Sequence, residues 1–422
     1  MIRREFLKSA LQKALSMTAL SVAALGMLSG GAVGLSSEHV ANAQAAAPEK
    51  VVLWHAYRAD ERKALDQAVQ KFNSSHTKIQ IETLAVPYDA FPDKISNAIP
   101  QGKGPDVFIF AHDRVGDWAE SKVIEPVDFW LDDKLKARYM PQTLAPLTYR
   151  KSVYGLPMAF KTLVLFYNKT LVPNPPKTTD ELIAMSKKLT NKANKSYGFC
   201  YENTDFHRHS AWLYGFGGAV FDGAGKLSLN TSQAAASFQF AQDLRNKHKI
   251  VPEEVTSTLQ TSLFNEGKVA MVMNGPWFTG EIKAGLNYGV ATLPVISATN
   301  QPARPFMGSE AILLSAKSTH KEAAFEVMSW LTDVEASKIR MTVGKQTVAT
   351  IKAYEGVTDP AVKVFQAQLL NSVPMPNTPQ MLMVWSPAAT ALNKVVSGNA
   401  NPAESLKQAQ SQIETAIKSS RR

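Results

Sequence analysis

A single cysteine, Cys200, stands in the 422-residue chain, which excludes an intramolecular disulfide. No Cys-x-x-Cys pair and no cysteine–histidine cluster accompanies it, so the ligand spacing of a zinc site is missing as well. Cys200 lies in the run Tyr197-Gly-Phe-Cys-Tyr201, the setting of a small buried hydrophobe rather than of a reactive thiol. Acidic residues are in the minority: 46 Lys and Arg against 36 Asp and Glu give a formal net charge of +10. That excess is scattered, in nothing longer than pairs such as Lys187-Lys188 and Arg421-Arg422. A nucleic-acid binder concentrates its charge in a patch, so nucleic acid is not an expected partner. No motif calls for a metal or a cofactor, and neither is expected. Beyond the N-terminal segment there is no internal repeat and no low-complexity run.

What is present is a chain of two-domain length. Its 45% hydrophobic and 19% charged content are those of a folded soluble protein. The N-terminus carries Arg3-Arg4-Glu5-Phe6-Leu7-Lys8, then a weakly apolar stretch from Ala14 to Leu35. Ser, Thr and Gly interrupt that stretch, leaving it weaker than a membrane span needs. Ala41-Asn42-Ala43 or Ala43-Gln44-Ala45 offers small residues for cleavage. The hexapeptide resembles the twin-arginine export motif. Residues 1–45 are therefore read as a signal peptide of the twin-arginine type, and the mature product is expected in the periplasm.

The mature chain opens with a β-rich run, Val51–Trp54. A helical spacing follows over Asp60–Phe72 (Leu65, Ala68, Val69, Phe72), then an alternating strand, Ile79–Val86. Tyr88–Ile99 is helical again, with Phe91, Ile95 and Ile99 on one face, and Asp106–Phe110 is an apolar strand. Strand, helix, strand, helix, strand is the pattern of a parallel sheet with helices on its faces. Further strands are expected at Leu163–Tyr167, after Gly267, at Tyr288–Pro294 and at Ala311–Leu314. Thr179 is placed to cap a helix over Asp180–Leu189, and more helices are expected at Ser232–Lys247, Lys321–Leu331, Pro360–Leu370, Ser386–Val396 and Pro402–Ile417.

One stretch organises the rest: Gly104-Pro-Asp-Val-Phe-Ile-Phe-Ala-His-Asp-Arg114. It reads as a turn, a buried strand and a polar cluster at the strand's carboxyl end, where open α/β sheets bind ligands. Taken alone, it also fits a solvated loop in which Asp113 and Arg114 merely cap the next helix.

With this stretch stand Tyr167-Asn-Lys-Thr-Leu-Val-Pro-Asn-Pro-Pro-Lys-Thr178, Met273-Asn-Gly-Pro-Trp277, Asn287-Tyr-Gly-Val-Ala-Thr-Leu-Pro294, and Pro374-Met-Pro-Asn-Thr-Pro-Gln-Met381 followed by Trp385. In this order and spacing, from about Lys50 to Ile417, the chain resembles the maltose/maltodextrin-binding periplasmic proteins, solute receptors of ABC importers. The resemblance implies an α/β, type II periplasmic-binding fold: two discontinuous lobes around a ligand cleft. The expected lobes are residues 46–160 plus 294–331, and residues 164–290 plus 335–422. They would be joined by crossings near Phe160–Leu163, Val290–Pro294 and Leu331–Glu335.

A sugar is a disc with hydroxyls on its edge and C–H groups on its faces; aromatic rings cover the faces, and charged or amide groups bond the edge. The resemblance places Trp277 and Trp385 as stacking rings and Asp113 and Arg114 on the sugar edge. It aligns Asp89 with a first-lobe carboxylate and Tyr88 with its neighbour, Asp205 with a second-lobe carboxylate, His207 with a tyrosine, and Arg58 with an N-terminal lysine. The chain departs from the pattern at Phe110, where the family has tryptophan, at Lys161, where it has glutamate, and at Ser386 and Ala389. Lys161 replaces an acceptor by a donor of opposite charge.

The function implied is a non-catalytic receptor, monomeric, that closes on a maltose-type oligosaccharide and delivers it to an inner-membrane ABC permease complex. Alternatives on the same fold are another di- or oligosaccharide, an acidic sugar drawn by Lys161, Arg58 and Arg114, or a glycerol-3-phosphate-type solute, suggested by Trp54-His55-Ala56. A glycoside-acting enzyme is the remotest alternative: two carboxylates would have to flank a bond at fixed separation, and no motif marks one as the acid.

Overall fold

The strand–helix alternation at the start of the mature chain folds as its periodicities require. The structure is a computed structural model and describes residues 47–420; the expected signal peptide, residues 1–45, lies outside the described residues. Strand Glu49–His55 pairs in parallel with Ile79–Ala85 on one side and with Val107–Ala111 on the other. The connecting helix Ala59–Ser75 buries Ala64, Leu65, Ala68, Val69 and Phe72, and Phe91–Ala98 buries Phe91 and Ile95. Those are the apolar stripes that helical spacing lays on one face.

The sheet is then completed from far along the chain. Strand Phe306–Leu314 lies antiparallel against Val107–Ala111, Gly155–Lys161 pairs antiparallel with it, and Val373–Pro374 pairs with it in parallel, giving a six-stranded mixed sheet. A second, four-stranded sheet has the order Tyr288–Ala291, Val164–Asn168, Val269–Asn274, Tyr197–Cys200. Cys200 is fully buried in it. Only Thr162 and Leu163 separate the end of Gly155–Lys161 in the first sheet from the start of Val164–Asn168 in the second.

Two expectations shift, and one helix appears that was not expected. The cap of helix Thr179–Leu189 is Thr178, whose hydroxyl accepts from Glu181 N, one residue earlier than read. Strand Phe306–Leu314 begins five residues before the expected Ala311. At the third expected crossing, Leu331–Glu335, the chain turns into another helix. Asp333 accepts from Ala336 N and starts a further helix, Val334–Thr342, which packs on Ala59–Ser75. An ion pair links Lys71 and Glu335, and Arg340 Nη1 donates to Met158 O at 2.8 Å. Asp333 is thus the cap of a helix that packs beside Ala59–Ser75. Helix Pro360–Asn371 packs on the second sheet, against Val164–Asn168 and Tyr288–Ala291.

Among the described residues no helix is long and apolar enough to cross a membrane. No group of three or more His, Cys, Asp or Glu among them could hold a metal ion.

Candidate functional site

Strand Val107–Ala111 ends in a 3-10 turn, His112–Arg114, that runs into helix Val115–Glu120. The strand's carboxyl end opens on a cavity of about 450 Å³ between elements of both sheets. Of the residues expected at a site, Arg58, Tyr88, Phe110, Asp113, Lys161, His207, Trp277 and Trp385 line it. A second hollow, about 380 Å³, shares Arg58, Glu61, Lys161 and Trp277 and continues the cleft toward Lys345, Gln346 and Thr347. The three remaining residues do not line this cavity. Asp89 lies in the exposed turn Tyr88–Ala90. Arg114 follows Asp113 on the turn and acts on its charge. Asp205 caps helix Phe206–Gly215, accepting from Arg208 N at 2.8 Å.

The aromatic walls are built from stacks. Phe91 and Phe110 stack at 5.2 Å and Phe110 and Tyr88 at 5.0 Å. Phe110 is 4% exposed and Tyr88 54%, so Phe110 serves as the underlay that presents the tyrosine ring. On the opposite wall, Trp277 follows Gly275-Pro276. A Cβ at Gly275 would lie 2.2 Å from the indole, so only glycine lets that ring fold back over the turn. Arg208, ion-paired with Glu202 at 2.5 Å, sits with its guanidinium 5.7 Å from the Trp277 ring centre. Trp385 opens helix Trp385–Val396 and meets Phe206 and Phe306 edge-on.

The floor is polar. Lys161 Nζ lies 3.1 Å from Glu310 Oε1 and 3.7 Å from Glu61 Oε1. Tyr57 donates its hydroxyl to Glu310 Oε2 at 2.6 Å, and Gln346 Nε2 donates to Glu61 at 3.3 Å. Burial works against the Lys161 charge, but the Glu310 and Glu61 carboxylates outweigh it and hold the ammonium above the ordinary lysine range. Burial pushes Glu61 upward, and Lys161 opposes that. Tyr57, Glu61, Glu310 and Met375 line the cavity without having been anticipated. Glu310 precedes the apolar run read as the strand, and no motif flags it; register alone brings it beside Lys161.

The polar cluster at the end of Val107–Ala111 divides between two tasks. His112 is wholly buried. Its Nδ1 accepts from Ser309 N at 2.9 Å, so Nε2 carries the proton and donates to Met375 O at 2.7 Å. Burial pulls this imidazole down to about 4, and it is a structural cross-link. Burial likewise pulls His207 down to about 4, with Asp205 opposing. Burial raises the Asp113 carboxyl to about 6, with Arg114 opposing. The cleft thus offers ring faces on two walls and a floor of donors and acceptors, a suitable lining for a polyhydroxylated ring.

The profile of the bacterial extracellular solute-binding protein family matches residues 56–338. The chain is 30% identical to the maltotriose-binding protein of Pyrococcus abyssi, over 82% of this chain and 77% of that protein. It is 29% identical to the galactooligosaccharide-binding protein of Bacillus subtilis, over 85% and 87%. Among solved structures, a cyclo/maltodextrin-binding protein complexed with maltotetraose superposes with a TM-score of 0.80 at 29% identity, covering 88% of this chain and 97% of that one. The Thermus thermophilus maltotriose binding protein bound with maltotriose gives 0.76 at 28% identity, covering 87% and 100%. The chain has the type II periplasmic-binding fold and belongs to the bacterial extracellular solute-binding protein family.

Proposed function

We propose that this chain is an exported receptor for a neutral, maltose-type oligosaccharide, which it captures in the cleft and hands to an ABC permease. The observation that carries the reading is the cleft itself: Tyr88 on one wall and Trp277 and Trp385 on the other, over a floor of Asp113, Lys161 and Glu310. Rings that cover sugar faces and charged groups that bond sugar edges are the elements such recognition needs. The names of the relatives, maltotriose- and galactooligosaccharide-binding, support an oligosaccharide as the ligand class.

The reading includes a division into two lobes. The first is residues 47–160 with the return from about 294 to 354, and the second is residues 164–290 with the helices from Pro360 onward. Closure is a hinge motion at the crossings. Ligand that touches both walls binds the closed form better and shifts the population toward it, which gives the permease a form to distinguish. The role is binding, without chemistry on the sugar. Export by the twin-arginine route, release into the periplasm and action as a monomer complete the proposal.

The test is a thermal-shift and calorimetric screen of the mature protein against maltose, maltotriose, maltotetraose, a galactooligosaccharide and glycerol 3-phosphate. Maltotriose at a hundredfold excess over its Kd should add about 2.7 kcal/mol to stability by mass action and raise the melting temperature. No response to any oligosaccharide would sink the reading. A response to glycerol 3-phosphate alone, lost on adding salt, would replace it with the phosphorylated-solute alternative.

A further inference from the structure

Glu310 and Lys161 occupy a special place in the chain path. Lys161 ends strand Gly155–Lys161, three residues before the second sheet begins at Val164, and Gly308 is its partner in register on Phe306–Leu314. Glu310 lies two residues further along that strand, which itself follows the return from the second sheet. Both side chains therefore stand at the root of crossings between the sheets, and both line the cavity.

Their hydrogen bonding leaves capacity to spare. Tyr57 occupies one lone pair of Glu310 Oε2, and Lys161 occupies one of Oε1. A carboxylate has about four acceptor sites, so each oxygen keeps one. Lys161 has three donors shared between two carboxylates, and its side chain remains 34% exposed against 12% for Glu310. The floor thus presents a donor and an acceptor 3.1 Å apart, a spacing that suits two adjacent hydroxyls on one sugar ring.

The charges sum against an anion. Of the charged groups lining the cavity, Lys161 and Arg58 face Glu61, Glu310 and Asp113, so with Asp113 ionised the lining is net negative by one charge. Arg340 lies beneath it, but is wholly buried, with its guanidinium donating to Met158 O, Leu331 O and Ser337 Oγ. It is out of a ligand's reach. Arg58 stands at the rim, beside Glu61.

We propose that Lys161 and Glu310 form one hydroxyl-reading unit at the hinge, which selects a neutral vicinal diol over a uronate. This rests on the reading of the cleft as a carbohydrate site. It reverses the expectation that Lys161 would draw an acidic sugar, because that lysine's charge is already matched.

The experiment is calorimetry with maltotriose and with maltotriose oxidised at its primary hydroxyls to carboxylates, on the mature chain and on Glu310→Gln, Lys161→Met and Gly308→Val. The natural chain should bind the neutral trimer at least tenfold more tightly than the oxidised one. Glu310→Gln should lose tenfold or more for the neutral trimer and narrow that ratio, and Lys161→Met should lose as much and keep rejecting the oxidised trimer. Gly308→Val adds bulk beside the unit without touching a charge. A Cβ there meets only Lys161 O, at 4.0 Å, so this variant should fold, melt near the natural temperature and bind neither trimer well. Two results would overturn the inference: neutral affinity within twofold of the natural chain in both charge variants, or tighter binding of the oxidised trimer by the natural chain. Binding of neither trimer by the natural chain would overturn the receptor reading, and this inference with it.

Discussion

Asp113 is under two opposed demands. Burial lifts its carboxyl from 3.8 to about 6, so the fold favours the neutral form. The sign follows: its contribution to stability is present below the unfolded value and is lost as pH rises through about 6. A ligand hydroxyl that donates to it asks for the opposite, the charged form. Affinity for maltotriose should therefore fall as pH drops from 7 to 5, approaching roughly tenfold per pH unit below the folded pKa where ionisation is fully required. His112 and His207, both near 4, do not titrate in that window. Calorimetry across it should show the slope in the natural chain and a flat, weaker profile in Asp113→Asn. A natural chain whose affinity does not change between pH 5 and 7 would remove Asp113 from the sugar edge.

At the scale of elements, the turn after Val107–Ala111 is a joint. His112 ties it to Ser309 on the antiparallel strand and to Met375 after Val373–Pro374. Gly116 N donates to Asn377 O at 3.0 Å, and Asn377 Nδ2 donates to Pro146 O at 2.8 Å and Thr148 O at 2.9 Å. The segment that leads into Trp385 is thus pinned to the turn that carries Asp113, to the helix after it, and to Pro146 and Thr148. His112→Ala would leave the Ser309 N–H and the Met375 carbonyl unpaired, at about 1–3 kcal/mol for each buried group. Urea unfolding at pH 7 should show the sum of the two, a loss of about 2–6 kcal/mol. A histidine held neutral supplies stability above its ordinary value near 6.5 that is lost as pH falls toward 4, so the gap between natural chain and variant should shrink over that interval.

This joint also shows how far the chain could be read. The Gly104–Arg114 stretch announced its strand by pattern, because a strand depends on neighbouring residues, and a cavity opens at the end where a site was expected. What His112 does depends on partners at 309 and 375, which no local pattern specifies. Glu310 was hidden for the same reason: it reaches Lys161 through a pairing register across 149 positions. Helix Val334–Thr342 was not among the expected elements; its start is set by Asp333, which accepts from Ala336 N as a cap.

For the whole molecule, long-range closure decides the architecture. The early alternation suggested a parallel sheet, yet half of the first sheet arrives later and partly reversed. The family motifs carried what periodicity could not: two lobes and a cleft. They carried less about the floor of that cleft, where this chain departs from them at Lys161, and where the Glu310 partnership had to be seen in three dimensions.

The arrangement of the tryptophans gives the protein a built-in optical reporter. Of seven tryptophans, Trp277 and Trp385 line the cleft cavity, while Trp54, Trp118 and Trp212 are buried in the lobes. Maltotriose should shift the emission of the first two toward shorter wavelengths by replacing water at their rings, and leave the buried three unchanged. Trp277→Phe with Trp385→Phe should abolish the shift, while an undiminished shift in the double variant would place the ligand elsewhere. The same two rings would then report the arrival of a sugar, and binding could be followed in the unlabelled protein.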